Sequence, residues 1–136
     1  MTRIIAFVNQ KGGVAKTTST VNIGAGLTNK DKRVMLIDLD PQGNLTASLG
    51  IAAHELDNTI NEVLTGDSTV KEAIIPTQGG YNVIPADIRL SGAEVELSSQ
   101  AGREMILKEA LQPVINDYDY ILMDCPPSLT LLTLNG

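Results

Sequence analysis

The chain has 136 residues, which is one domain's worth and enough to bury about two-thirds of the unfolded chain's surface. Its formal net charge of -6, with lysines and arginines scattered and not gathered in runs, argues against a segment that grips nucleic acid by bulk electrostatics. The lone Cys125 excludes an internal disulfide and a cysteine-rich metal site. No apolar run reaches the roughly 18 residues needed to span a bilayer. The N-terminus starts directly on a strand pattern, so no signal peptide is expected and a cytoplasmic location follows.

Arg3 to Val8 is apolar and partly β-branched, the pattern of a buried parallel strand. Asn9 to Thr18 follows, and then Ser19 to Leu27, small and apolar without proline, predicts a helix. A strand, a glycine-containing turn and a helix opening on Lys-Thr-Thr form the setting that a phosphate loop requires. Successive backbone N–H groups in such a turn make an anion-binding nest, and the helix N-terminus adds partial positive charge. Lys16 is placed to bring a full charge to the β- and γ-phosphates, Thr17 to offer its hydroxyl to magnesium, and Thr18 to lie near the α-phosphate. The match to G-x-x-x-x-G-K-[ST] is imperfect, because Gln10 and Ala15 stand where the two glycines belong. The variant K-G-G-x-[G/A]-K-[ST]-[ST] fits better and adds Lys11. Ala15 requires a negative φ where glycine would be free. The plainer alternative, a glycine-rich turn in an ordinary βαβ unit, leaves Lys11, Lys16 and both threonines without a role.

Asn29 to Arg33 is a polar turn, and Val34 to Asp40 predicts a second buried strand running into acids, stopped by Pro41-Gln42-Gly43-Asn44. In a parallel sheet the ligand site lies at the carboxyl ends of the strands, so Asp38 and Asp40 fall at the phosphate-loop end. Two residues apart, they point to the same side if the strand continues that far. Carboxylates facing phosphates repel them unless a metal or proton intervenes, a physical reason to expect magnesium. Solvated strand-end carboxylates are the alternative.

Short helices are predicted over Leu45 to Leu49, Asn58 to Leu64 (ended by Gly66) and Val70 to Ile75. His54, the single histidine, is expected to be a polar loop residue. Gly79-Gly80 is a turn, and Tyr81 to Pro85 is a third strand that Pro85 terminates. Ile88 to Ser98 is expected to be loop and partial helix. Arg103 to Asp117 carries Ile106, Leu107, Ala110, Leu111, Val114 and Ile115 at helical period, with Pro113 expected to kink the helix or split off its last turn. Asp119 to Asp124 is a fourth buried strand ending in an acid, the form of a Walker B element, from which Asp124 can reach magnesium directly or through water. Apolar residues followed by one aspartate are weak evidence alone and gain weight from the phosphate loop upstream. Cys125 is expected to be a small buried residue.

NQKGGVAKTT, LIDLDPQGN and YILMDCPPS, in that order and spacing, resemble the ParA/Soj/MinD family of deviant Walker A ATPases, and most of all its Soj/ParA chromosome-partitioning members. The resemblance runs over nearly the whole chain. It implies an α/β, P-loop NTPase-like fold, a mostly parallel sheet flanked by helices. Residues 1–136 would be the N-terminal part of a ParA-type ATPase domain, truncated after the fourth strand. The first strand, central in the family, would then lie at an apolar edge open to self-association by strand pairing or swapping.

The resemblance further implies a partition ATPase that binds Mg-ATP between the subunits of a homodimer and hydrolyses it slowly. Lys11, Gly12, Gly13, Val14, Ala15, Lys16, Thr17 and Thr18 would cradle the nucleotide. Lys11, Lys16 and Asp40 would be catalytic: Lys11 reaching the partner subunit's phosphates much as an arginine finger does, and Asp40 positioning or activating the attacking water. Thr17, Asp38 and Asp124 would lie at the magnesium, Asp38 acting through its water shell. Non-specific DNA, bound through a part missing from this chain, and a ParB/Spo0J-type centromere-binding protein would be the partners, in chromosome or plasmid segregation on the nucleoid. A MinD-like protein needs a C-terminal amphipathic membrane helix that this sequence lacks, so no membrane is expected. The rival is a truncated nucleotide-binding or interaction module without ATPase activity of its own.

Overall fold

Five apolar runs form strands in the computed structural model, which describes residues 2–8, 14–40, 42–90 and 103–125. They are β1 (Arg3–Val8), β2 (Val34–Asp38), β3 (Ile75–Pro76), β4 (Asn82–Ile84) and β5 (Tyr120–Cys125). The helices are α1 (Val14–Asn29), α2 (Asn44–Ser48), α3 (Ile60–Thr65), α4 (Val70–Ala73) and α5 (Arg103–Leu111). The strands lie in the order β1-β5-β2-β4-β3. Every neighbouring pair is parallel except β3 with β4. This is the expected mostly parallel α/β sheet flanked by helices. Among the described residues no helix is long and apolar enough to cross a membrane.

Strand β5, late in the chain, takes the place between β1 and β2, and its Ile121, Leu122 and Met123 are fully buried. A strand paired on both sides and covered on both faces must be apolar at consecutive positions, which explains the unbroken Ile-Leu-Met run. Val34 and Leu36 point to one face with Leu122 and pack with Val21 and Ala25 of α1. Met35, Ile37, Ile121 and Met123 point to the other and pack with residues of α3, α4 and α5. The alternation is the period of two that a strand imposes. Helix α1 comes close to β2 because Gly24 carries no side chain: a Cβ there would lie 2.9 Å from Leu36 Cδ2.

Three readings of the sequence are corrected, and a fourth resolves between two expected outcomes. The sheet has five strands among the described residues, not four, because α4 stops at Ala73 and Ile75–Pro76 adds a short antiparallel edge. Proline fits there, since an edge strand has a side that needs no N–H donor. Helix α1 begins at Val14, two residues ahead of the expected Lys-Thr-Thr opening, so Ala15 has a helical backbone. Strand β2 ends at Asp38, so Asp40 is not a strand residue and the two carboxylates do not share a face by alternation. Helix α5 stops at Leu111, two residues before Pro113, and the tail of the expected helix survives as a 3-10 turn over Ile115–Asp117. That last outcome is one of the two that Pro113 allows. The part of the expected loop and helix beyond Leu90 lies outside the described residues. Strand β1 is at an edge of the described sheet, as expected, with Ile5 partly exposed.

Candidate functional site

Parallel pairing in register brings the chemistry-bearing strand ends together. Phe7 of β1 and Asp38 of β2 both pair with Asp124 of β5, and Val8 pairs with Cys125. Paired residues on neighbouring strands point to the same face, so Asp38 and Asp124 are adjacent carboxylates, on the face that α1 covers. The chain leaves β1 at that end and returns as α1, whose first-turn N–H groups have no partner within the helix, the setting in which a helix N-terminus can receive an anion.

Helix α1 also delivers Thr17. Its side chain is buried, and Oγ1 donates to Asp124 Oδ2 at 2.9 Å. A hydroxyl and a carboxylate, both hard oxygen donors, are what magnesium takes from a protein while phosphates and water fill its remaining positions. The donor set therefore fits that ion. Thr18 is exposed. Lys11, Gly12 and Gly13 lie outside the described residues. So do the side chains of Val14, Ala15, Lys16 and Cys125, although their backbones belong to α1 and β5. His54 is on a 3-10 turn over Ala53–Glu55 and is exposed, as expected for a polar loop residue.

Asp38 is fully buried and its oxygens are engaged. Oδ1 accepts from Asp40 N at 3.0 Å; Oδ2 accepts from Thr46 N at 3.0 Å and from Thr46 Oγ1 at 2.7 Å. Burial pushes the Asp38 carboxyl up to about 7, with the Thr46 hydroxyl and amide and the Asp40 amide pulling it down and the nearby Asp124 charge adding to the rise. Asp38 thus ties the following segment to the sheet. Asp40 heads that segment: Oδ1 accepts from Gln42 N at 2.9 Å and Oδ2 from Asn44 Nδ2 at 3.0 Å, while its carbonyl accepts from Gly43 N at 2.8 Å. Leu39 N, between the two aspartates, donates to Asp124 O at 2.9 Å, so the ladder to β5 extends one residue past β2.

Sequence reading missed three contributors. Thr46 is one; its only signal is a polar residue inside a short helix eight positions after Asp38. Asn44, which steadies Asp40, is the second. The third is Arg89, whose Nε donates to Asp87 at 3.0 Å and whose Nη2 donates to the carbonyls of Ala53 (2.9 Å) and Leu56 (3.0 Å). Arg89 Nη1 also lies 3.7 Å from Glu62 Oε1, so one guanidinium joins the loops before α3 and after β4.

Residues 2–136 match the family model described as AAA domain. The chromosome partitioning protein ParA of Myxococcus xanthus is 50% identical over 135 residues, which is 98% of this chain and 48% of the relative. The sporulation initiation inhibitor protein Soj of Bacillus subtilis is 51% identical over 137 residues, 100% of this chain and 54% of the relative. Among solved structures, cobyrinic acid a,c-diamide synthase from Mycobacterium smegmatis with bound ATP analog and magnesium superposes with a TM-score of 0.93 at 51% identity, over 100% of this chain and 56% of that one. The cell division ATPase MinD of Pyrococcus furiosus gives a TM-score of 0.79 at 30% identity, over 100% of this chain and 56% of that one. The chain spans about half the length of each.

Proposed function

Because this chain belongs to the AAA domain family, in the branch shared by ParA, Soj and MinD, we propose that it binds ATP with magnesium and hydrolyses it in the segregation of DNA. The observation that carries the reading is the buried Thr17–Asp124 hydrogen bond of 2.9 Å at the carboxyl end of a parallel sheet, under the N-terminus of α1. In this reading the backbone of residues 11–18 cradles the phosphates, and Lys16 neutralises their charge. Lys11 reaches across to the phosphates held by a second copy. Thr17 and Asp124 hold magnesium, which when bound spreads the negative charge that builds on the β- and γ-phosphates. Asp38, whose oxygens are taken by Thr46 and Asp40, serves the metal at most through water, and Asp40 orients the attacking water.

A structure as similar as the partition proteins carries a synthase name and was solved with an ATP analog and magnesium. Mg-ATP binding is therefore the broader claim, and segregation, with a ParB/Spo0J-type protein and DNA as partners and a nucleotide-sandwich dimer as working state, is the finer one. The chain's coverage of about half of its relatives favours a second reading: a nucleotide-binding module that does not hydrolyse ATP. Equilibrium titration with a fluorescent ATP analogue and magnesium tests the broad claim. The unaltered chain is expected to bind, and Lys16→Ala to bind about tenfold more weakly or worse. Equal affinities would refute the phosphate-loop assignment. Binding without turnover, with DNA and the partner protein present, would select the second reading.

A further inference from the structure

One hydroxyl closes the segment that carries Asp40. Thr46 is buried, and its Oγ1 both donates to Asp38 Oδ2 at 2.7 Å and accepts from Ala86 N at 2.9 Å. A hydroxyl is the smallest side-chain group that can do both at once. Asp38 takes Asp40 N on one oxygen and Thr46 N on the other. Asp40 and Thr46 are thereby drawn into a ring about the single Asp38 carboxylate, and Thr46 pins that ring to the residues that follow β4. The ring is pressed against the same place by Gly43, where an added Cβ would lie 2.8 Å from Ala86 O. Asp40 is held inside the ring by Gln42 N and Asn44 Nδ2.

We propose that Thr46 is a positioning residue for Asp40: its hydroxyl fixes where the Asp40 segment stands relative to the Thr17–Asp124 pair, and so sets turnover without setting nucleotide affinity. The inference rests on the Mg-ATP hydrolase reading. Affinity is spared because the Thr46 hydroxyl touches neither the phosphate cradle nor the Thr17–Asp124 pair, and Asp38 keeps the Thr46 and Asp40 backbone N–H groups that hold its two oxygens when the hydroxyl is lost. Turnover is not spared, because replacing the hydroxyl by a methyl group leaves the Ala86 N–H without an acceptor and removes one of the two donors on Asp38 Oδ2. The ring is then free to shift, and a displacement near 1 Å of a group that orients a reactant costs on the order of a hundredfold in rate.

The test compares the unaltered chain with Thr46→Val, which keeps the shape, and Thr46→Ser, which keeps the hydroxyl. Affinity is read with a fluorescent ATP analogue and magnesium, turnover by phosphate release, and the ring by amide hydrogen exchange at Thr46 and Ala86, with Leu36 and Leu122 as core references. Thr46→Val is expected to hold its affinity within about threefold and lose about tenfold or more in turnover. Its exchange at Ala86 should be faster with Leu36 and Leu122 unchanged. Thr46→Ser is expected to match the unaltered chain in all three. Undiminished turnover in Thr46→Val, or affinity and turnover falling in parallel, overturns the inference. If Thr46→Val loses protection at Leu36 as well, Thr46→Ser decides: retained turnover supports the hydroxyl's role and a tenfold loss overturns it. An unaltered chain without magnesium-dependent turnover overturns the hydrolase reading and this inference together, whereas normal turnover in both the unaltered chain and Thr46→Val overturns this inference alone.

Discussion

Gly43→Ala should be among the more costly glycine substitutions in this fold, and Gly50→Ala shows why. Both positions have a left-handed backbone, with φ of +66° at Gly43 and +74° at Gly50. Placing a Cβ in that region costs about 1–2 kcal/mol, partly offset by about 0.5 kcal/mol from the reduced freedom of the unfolded chain. The two differ in their surroundings. Nothing lies within 4 Å of a Cβ at Gly50, whereas at Gly43 it would meet Ala86 O at 2.8 Å, a backbone oxygen that cannot rotate away. Relieving such a contact by moving backbone adds about 1–3 kcal/mol. Gly50→Ala is therefore expected to cost about 1 kcal/mol and Gly43→Ala about 2–4 kcal/mol. Urea unfolding followed by circular dichroism, with m values unchanged, measures both. The difference between the variants isolates the pressure of the Asp40 segment on the residues after β4. Equal costs would show that the segment does not pack against Ala86, and the account of how Asp40 is placed would fail with it.

Two further perturbations probe the same scaffold. Arg89→Met removes the donor shared by Asp87, Ala53 and Leu56 and the charge beside Glu62, for an expected loss of about 1–2 kcal/mol at neutral pH after allowing for solvent screening. Burial pushes the Asp87 carboxyl up, but Arg89 outweighs it and holds the group below its ordinary value; at Glu62 burial is likewise outweighed, by Thr59, Asn61 and Arg89. A carboxyl depressed in the folded state stabilises above its unfolded value and ceases to as pH falls through the folded one. The gap between Arg89→Met and the unaltered chain should accordingly narrow below about pH 4, and a gap that widens there would contradict the ion-pair account. Asp31 lies two residues past the end of α1 with φ of +63°, its N–H donating to Thr28 O at 3.0 Å, so Asp31→Gly should stabilise by about 0.5 kcal/mol. A drop in melting temperature would argue against that backbone.

Legibility in the sequence followed the range of the forces involved. Strands β2 and β5 were visible because a strand covered on both faces is apolar at consecutive positions, β1 because its Ile4 to Val8 run is apolar and partly β-branched, and α3 because Gly66 follows its apolar stripe. Strand β3 was not: two residues carry no period, and what makes Ile75–Pro76 a strand is the neighbouring β4. The placing of β5 between β1 and β2 is likewise a property of the whole sheet. At the site, Thr17 and Asp124 could be picked out because each belongs to a contiguous block with its own spacing, and the structure joins them with a 2.9 Å hydrogen bond. Asp40 was seen, but its setting was misjudged. Alternation holds only while the strand lasts, and Asp38 ends β2 by accepting the Asp40 amide. Thr46 and Arg89 act on partners 40 and 36 residues away, Ala86 and Ala53, and no local pattern announces a contact of that span.

The most direct measurement of the central claim, that Thr17 and Asp124 form a magnesium site under a phosphate loop, is calorimetric titration of ATP into the unaltered chain and into Asp124→Asn, each with magnesium and with a chelator. Asparagine has the shape of aspartate and can still accept from Thr17, so the exchange removes the negative charge while keeping that hydrogen bond. The account predicts that magnesium tightens ATP binding by about tenfold or more in the unaltered chain and has little effect on Asp124→Asn. Equal magnesium dependence in the two chains, or ATP binding that ignores magnesium in both, would contradict it.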